Sequence, residues 1–87
     1  MDGNKTQNLT NRDYLDMFFP DALICTGHDN AIIGTVGEKV LYDRDVIVDN
    51  LMKDGMTSEE AIEYFYYNIE GSYVGEKTPL YASLIKE

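Results

Sequence analysis

The first regular pattern in the chain is helical. The segment NRDYLDMFFP repeats a pair of apolar residues after four positions, which is the spacing of one helix face. Thr10 before it is a good N-cap residue, and the proline that closes it cannot continue a helix. The pattern predicts a short amphipathic helix over residues 11–19. The polar residues 1–9 before it are expected to form a flexible arm.

Three short apolar segments follow, and each is ended by turn-forming residues. ALICT precedes the turn GHDN, AIIGTV precedes GE, and KVLY alternates its two faces. Glycine, asparagine and aspartate favour tight turns, whereas β-branched residues favour strands. The simplest pairing of these segments is a three-stranded antiparallel meander. The later segment LYASLI predicts a C-terminal strand, with Pro79 at its start.

Helical signals return between the meander and the last strand. Asp43 is a favourable N-cap residue for a first helix. Gly55 is expected to end that helix. The sequence TSEE is a capping box that begins a second helix, expected over residues 58–70 with Gly71 as its left-handed terminal residue. The two helices predict a helical hairpin packed on the sheet. Residues 10–87 are therefore expected to form a single α+β domain.

The second helix has an apolar face and an acidic face. At 100° per residue, the face expected to enter the core holds Ser58, Ile62, Phe65 and Ile69, flanked by Ala61 and Tyr66. The opposite face carries Glu59, Glu60, Glu63, Tyr67 and Glu70. An acidic helix face is most often simply solvated. Carboxylates around an exposed tyrosine can also occupy a basic groove of a partner, much as a phosphate backbone would.

The charge of the chain changes how this face is interpreted. Sixteen acidic residues against seven basic ones give a net charge of −9. Between Asp43 and Glu70 there are eight acidic and two basic residues, so −6 of that charge falls on the predicted hairpin. Such a chain repels nucleic acid and anionic membrane surfaces, so we expect direct binding to neither. Its expected partners are basic.

The size of the chain and its cysteine content bound the remaining possibilities. An 87-residue domain has a narrow stability margin, and a homodimer or a partner would widen it. There is no apolar run near the ~20 residues of a membrane span, and the polar N-terminus does not resemble a secretory signal. A single cysteine fits a reducing compartment. The sequence therefore predicts a cytoplasmic protein.

The chain carries little that resembles catalytic or metal-binding machinery. Cys25 and His28, in CTGHD, are at best half of a zinc site, which normally needs four ligands. They also lack an orienting group for nucleophilic catalysis. The aspartates do not follow a calcium loop, and phosphate-binding and dinucleotide-binding motifs are missing. We therefore expect no enzyme, no metal and no cofactor.

Residues 41–81 read LYDRDVIVDNLMKDGMTSEEAIEYFYYNIEGSYVGEKTPLY. In this segment the chain resembles a family of small uncharacterised proteins encoded by tailed bacteriophages and prophages. The family pattern is D-G-M-(S/T)-x-E-E-A-x-E-Y-F-x-x-N-(I/V)-x-G-x-(Y/W)-x-G-E-x-T-P, preceded by V-Y-D. The matching positions are Tyr42, Asp43, Asp54 to Thr57, Glu59 to Ala61, Glu63 to Phe65, Asn68, Ile69, Gly71, Tyr73, Gly75, Glu76, Thr78 and Pro79. The match covers about half of the chain. It implies a viral origin and names no activity.

Three functions from different classes follow from these observations. The first is an anti-defence protein of anti-CRISPR type, a nucleic-acid mimic whose acidic, tyrosine-containing face inhibits a nucleic-acid-handling protein of the bacterial host. The second is an oligomeric sponge for a nucleotide immune signal. It would use the loop GSYVGEKTP, with Tyr73 for stacking and Lys77, aided by Arg44, for phosphate. The third is a protein-interaction module without an inhibitory role.

Overall fold

The computed structural model describes residues 10–72 and 74–85. In chain order the elements are α1 (Asn11–Phe18), a 3-10 turn (Asp29–Ala31), β1 (Ile32–Val36), β2 (Lys39–Asp43), α2 (Arg44–Lys53), α3 (Ser58–Tyr64), a π-helical stretch (Phe65–Glu70) and β3 (Leu80–Ala82). The predicted α+β class is confirmed, and the helix predicted over residues 11–19 is present as α1. The arm predicted over residues 1–9 lies outside the described residues.

The sheet is mixed, with strand order β1–β2–β3. β1 and β2 form an antiparallel hairpin whose last pair is Val36 and Lys39, and Gly37 in the turn has φ +61°. A glycine with positive φ at the first of two turn residues matches the twist of a hairpin. β3 runs parallel to β2, with Leu80 opposite Leu41. The prediction of an antiparallel sheet is therefore wrong for this last pair.

The connection between β2 and β3 explains why they are parallel. Parallel neighbours need a crossover of a dozen or more residues, usually helical. Here residues 44–79, which include α2, α3 and the π-helical stretch, supply it. The predicted C-terminal strand is present, but it forms only over Leu80–Ala82.

The segment ALICT, predicted as the first strand of the meander, forms no strand. The backbone N–H of Cys25 donates instead to the side-chain hydroxyl of Tyr42, at 2.7 Å. Ala22, Ile24 and Cys25 are partly buried against the core. A short apolar run can be a buried loop as readily as a strand, because periodicity alone does not separate the two. The meander is thus reduced to the β1–β2 hairpin.

Three aromatic rings, Tyr42, Phe65 and Tyr81, form what we call the aromatic trio. Tyr42 on β2 and Phe65 at the start of the π-helical stretch are fully buried. Tyr81 on β3 stacks on Tyr42 with ring centroids 5.8 Å apart, and it meets Phe65 edge-on at 5.2 Å. Both geometries are favourable for aromatic pairs. The trio joins the sheet to the helical hairpin. The other buried core residues are Leu15, Ala31, Ile32, Val40, Ile47, Leu51 and Ala61.

The helices begin where the capping residues predict. Asp43 is almost fully buried, and its Oδ1 accepts the backbone N–H of Asp45 at 2.9 Å at the start of α2. The hydroxyl of Thr10 accepts the N–H of Asp13 at 3.0 Å, and hydrogen bonding by Thr10 lowers the pKa of the Asp13 carboxyl. Gly55, with φ +114°, ends α2 as expected. Asp43 therefore stabilises the hairpin and does not add to its exposed charge.

The second helix departs from the predicted core face. Ala61 and Phe65 are fully buried, whereas Ile62 is 43% exposed and Ser58 is exposed. Ile69 is partly buried against the core. The buried residues are thus spaced by four positions. The prediction was wrong for Ile62 and Ser58, because it centred the buried face one position away from Ala61.

Gly71 is required for a different reason from the one predicted. Its φ is −74°, so it is not left-handed. A Cβ atom at this position would lie 2.8 Å from the carbonyl oxygen of Tyr66, five residues earlier. A π-helix links residues five apart, which brings this carbonyl close to the end of the stretch. Glycine is needed here because there is no room for a side chain.

We expect Gly71→Ala to lower the free energy of unfolding by about 1–3 kcal/mol, the usual cost of forcing a methyl group into a packed site. Gly34→Ala is the matched control, because a Cβ there has no neighbour within 4 Å. It should change stability by less than about 1 kcal/mol. Urea unfolding followed by circular dichroism measures both. Equal effects of the two variants would contradict the steric explanation.

Candidate functional site

The acidic residues singled out in the sequence lie on α3 and the π-helical stretch. Glu59, Glu60, Glu63 and Glu70 are all exposed. Tyr67 is 80% exposed, more than any other tyrosine that the structure describes. All five residues predicted for this face are therefore accessible to solvent.

Part of this surface is concave. A groove of about 410 Å³ is lined by Met56, Glu60, Glu63, Tyr64, Tyr67 and Asn68, and we call it the tyrosine groove. Glu59 and Glu70 do not line it. Of the five predicted site residues, the structure thus brings Glu60, Glu63 and Tyr67 together. The other two lie elsewhere on the same exposed surface.

Sequence reasoning missed Met56, Tyr64 and Asn68 as members of this groove. Tyr64 and Asn68 stand four and eight residues after Glu60, so helical spacing places them on its side of the helix. Met56 precedes the N-cap of α3, so helix periodicity does not indicate its position.

Glu60 has a structural role in addition to its charge. Its Oε1 accepts the backbone N–H of Thr57 at 2.9 Å, while its own N–H donates to the Thr57 hydroxyl at 3.1 Å. This reciprocal capping box is the one predicted from TSEE. Replacing Glu60 would disturb the start of α3, so the charge of the site is better tested at other positions.

The π-helical stretch sets the orientation of the tyrosines that follow α3. Phe65 is fully buried, while Tyr66 and Tyr67 are turned to solvent. Such stretches are rare, and they occur frequently at functional sites. The guanidinium of Arg44 lies 6.0 Å from the ring centre of Tyr66, and its Nη1 donates to the Tyr66 hydroxyl at 3.3 Å. Tyr66 is thus already in contact with a cationic side chain of its own chain.

Most basic side chains of the described residues are paired away from the groove. Arg12 contacts Asp16 at 3.1 Å and Asp29 at 3.3 Å. Lys53 contacts Asp49 at 3.3 Å. Among the described residues, Glu59, Glu63 and Glu70 make no ion pair, and no basic residue lines the tyrosine groove. The negative charge of this face is therefore not neutralised within residues 10–72 and 74–85.

The loop proposed for a small ligand is only partly described, since Tyr73 lies outside the described residues. Lys77 Nζ contacts Glu38 at 3.1 Å. The Thr78 hydroxyl accepts the N–H of Val74 at 2.9 Å and donates to the carbonyl of Gly75 at 2.6 Å. These bonds account for Thr78 as part of the turn. Lys77 is already paired with a carboxylate.

Lys77 and Arg44 do not form one basic patch. Lys77 pairs with Glu38, just before β2, and Arg44 comes directly after β2. Positions 38 and 44 are six residues apart, or about 20 Å at about 3.3 Å per residue. Lys77 and Arg44 therefore extend from opposite ends of β2, and each already has a partner within the chain.

Cys25 and His28 do not come together as a reactive pair. Burial raises the pKa of the Cys25 thiol, although a hydrogen bond with Tyr81 works against this shift. The Nδ1 atom of His28 accepts from Asn50 Nδ2 at 3.0 Å, and Asn50 also exchanges two hydrogen bonds with Asn30. Within the described ranges, no group of three potential metal-ligand side chains converges. None of the helices described is long and apolar enough to cross a bilayer.

The His28 contact predicts a pH dependence of stability. Burial lowers the pKa of His28, with a smaller opposing effect from Asp54, so the unfolded chain binds the proton more readily than the folded one. Stability should be fully present above the ordinary pKa of about 6.5 and should fall as the pH drops below it towards the folded value.

Urea midpoints between pH 7.5 and 5.5 measure this dependence. His28 is the only histidine in the chain, so His28→Gln should reduce the loss over this interval, and its amide can still accept from Asn50. An identical pH profile in the variant would contradict the assignment.

Comparison of the chain with protein-family models, with curated proteins and with solved structures finds no match. Function is therefore inferred from the acidic face and the tyrosine groove themselves.

Proposed function

We propose that the protein binds and inhibits a nucleic-acid-handling defence protein of a bacterial host, in the host cytoplasm, with its acidic helical face in a basic groove of that protein. The observation that carries the proposal is the exposed face of α3 and the π-helical stretch. Glu59, Glu63 and Glu70 have no cationic partner among the described residues, because most of the basic side chains described are paired with other groups. The phage-protein resemblance supplies the bacterial setting.

The charge density of the face supports mimicry of a nucleic acid backbone. Residues 59 and 70 are eleven positions apart, or roughly 16 Å along a helix axis at 1.5 Å per residue. Four glutamates lie within that length. One strand of duplex DNA carries about five phosphates over the same distance, at 3.4 Å per phosphate. A basic groove that binds a nucleic acid strand would thus meet a similar density of negative charge.

The two alternatives differ in how they relate to this surface. A protein-interaction module without an inhibitory role would use the same face, and an inhibition assay separates the two. A nucleotide sponge would need a basic site, and the separation of Lys77 from Arg44 together with the Glu38 contact gives it no support. Net charge also opposes the approach of an anionic ligand.

Charge reversal on the face should abolish partner binding. The double variant Glu59→Lys/Glu63→Lys leaves the Thr57–Glu60 capping box intact and changes the net charge by +4. We expect the tagged wild-type chain to capture a basic nucleic-acid-binding protein from bacterial lysate, identified by mass spectrometry. The wild type should inhibit the nucleic acid binding of that protein once it is purified. The double variant should do neither, because the partner then meets like charges.

The matched control is Asp21→Lys/Glu76→Lys, which changes net charge by the same amount at two exposed positions outside the hairpin. It should retain capture and inhibition. If both double variants lose capture equally, overall charge and not the helical face governs binding. If the partner is captured but keeps its nucleic acid affinity, the inhibitory role is wrong and the non-inhibitory module is correct.

A further inference from the structure

The tyrosine groove differs from the rest of the acidic face because it offers aromatic surface as well as charge. Tyr64 and Tyr67, one helical turn apart, expose ring surface beside the carboxylate of Glu63. Asn68 adds a side-chain amide, and Met56 adds an adaptable apolar contact. A phosphate mimic needs only negative charge. Aromatic rings beside a carboxylate suit a flat cation.

The chain itself contains one contact between a guanidinium and a tyrosine. The guanidinium of Arg44 lies 6.0 Å from the ring centre of Tyr66 and donates to its hydroxyl at 3.3 Å. A guanidinium is planar, so it can stack on a ring while its N–H groups still reach an acceptor in the ring plane. An ammonium group is a compact point charge that stays strongly hydrated, and it gains less from a flat ring.

We infer that the tyrosine groove receives an arginine side chain of the partner, with the guanidinium stacked on Tyr67 and hydrogen-bonded to Glu63. This inference rests on the proposed function, because it specifies the partner chemistry at the same surface. The groove is open to solvent, and its volume of about 410 Å³ is large enough for one arginine side chain that reaches in from a partner surface. The surrounding glutamates attract the basic surface of the partner, and the groove fixes the position of its arginine.

The two carboxylates of the groove differ in how many acceptor oxygens are available for a guanidinium. One carboxylate oxygen of Glu60 is committed to the Thr57 N–H. Glu63 makes no hydrogen bond or ion pair through its side chain to any of the residues described. Glu63 is therefore the carboxylate that can form the paired hydrogen bonds that guanidinium favours. Glu76 has the same charge and is exposed, but it lies outside the hairpin and the groove, which makes it the matched control.

The inference is tested with three short peptides and the full-length chain. The probes are acetyl-Gly-Gly-Arg-Gly-Gly-amide and its analogues with lysine or citrulline in place of arginine. Binding is followed by NMR at physiological salt, through the ring signals of Tyr64 and Tyr67 and the side-chain amide of Asn68. The arginine peptide should shift these signals and bind roughly fivefold more tightly than the lysine peptide. Citrulline, which is neutral and of the same shape, should cause no shift.

Variants then separate the contribution of the tyrosine ring to peptide affinity from that of the carboxylate. Tyr67→Leu should weaken the arginine peptide roughly fivefold, whereas Tyr67→Phe should retain most of the affinity because the ring remains. Glu63→Gln should weaken it severalfold, and Glu76→Gln should leave it within about twofold. The inference is overturned if the arginine peptide causes no shift, if lysine binds as well as arginine, or if Glu76→Gln and Glu63→Gln have equal effects.

Failure here can be distinguished from failure of the proposed function. If host protein capture is lost in Glu59→Lys/Glu63→Lys but unchanged in Tyr67→Leu, the acidic face is the binding surface and the arginine site is wrong. If the arginine peptide binds as expected while the wild-type chain captures no nucleic-acid-binding protein, the arginine site stands and the proposed function falls.

Discussion

The contact between Tyr42 and Tyr81 joins the last strand to the core that the other elements share. Tyr42 lies on the central strand, and its hydroxyl fixes the backbone of the ALICT segment while its ring stacks on β3. Tyr81 then meets Phe65, which begins the π-helical stretch. Burial raises the pKa of the Tyr81 hydroxyl, so it stays protonated throughout the ordinary pH range. A domain of this size buries only about two-thirds of its unfolded surface, so one cluster that joins four segments decides whether they fold as a unit.

The orientation of the acidic face follows from the packing of Phe65 on Tyr81. Because Phe65 is fixed against Tyr81, the residues on either side of it on the helix are turned away from the sheet, and Tyr64 and Tyr67 border the groove. The carboxylates have different roles. Asp13, Asp43 and Glu60 accept backbone N–H groups at helix starts, where negative charge is favourable. Glu59, Glu63 and Glu70 have no such role, and they leave the face charged. Helix capping and the proposed recognition surface thus use the same type of side chain.

The sequence predicted best what depends on near neighbours. The caps at Thr10, Asp43 and Thr57 were correct because an N-cap bonds only two or three residues away. The sequence could not predict that ALICT forms a loop and not a strand. Its conformation depends on the hydroxyl of Tyr42, seventeen positions after Cys25. The parallel direction of β3 is equally non-local. Gly71 was correctly identified as a special position, but its steric reason depends on a π-helical turn that has no sequence signature here. The charged half of the groove could be predicted, whereas its shape could not.

The parallel pairing of β2 with β3 also affects how the protein is made. A ribosome synthesises β2, then both helices, and only afterwards the strand that lies beside β2. At about 5–20 residues per second, the intervening residues take a few seconds to appear. Phe65 is itself made only midway through this interval, and Tyr81, which packs on both Tyr42 and Phe65, follows later. The packing that joins β3 to the rest of the core is therefore a late event in the formation of the fold.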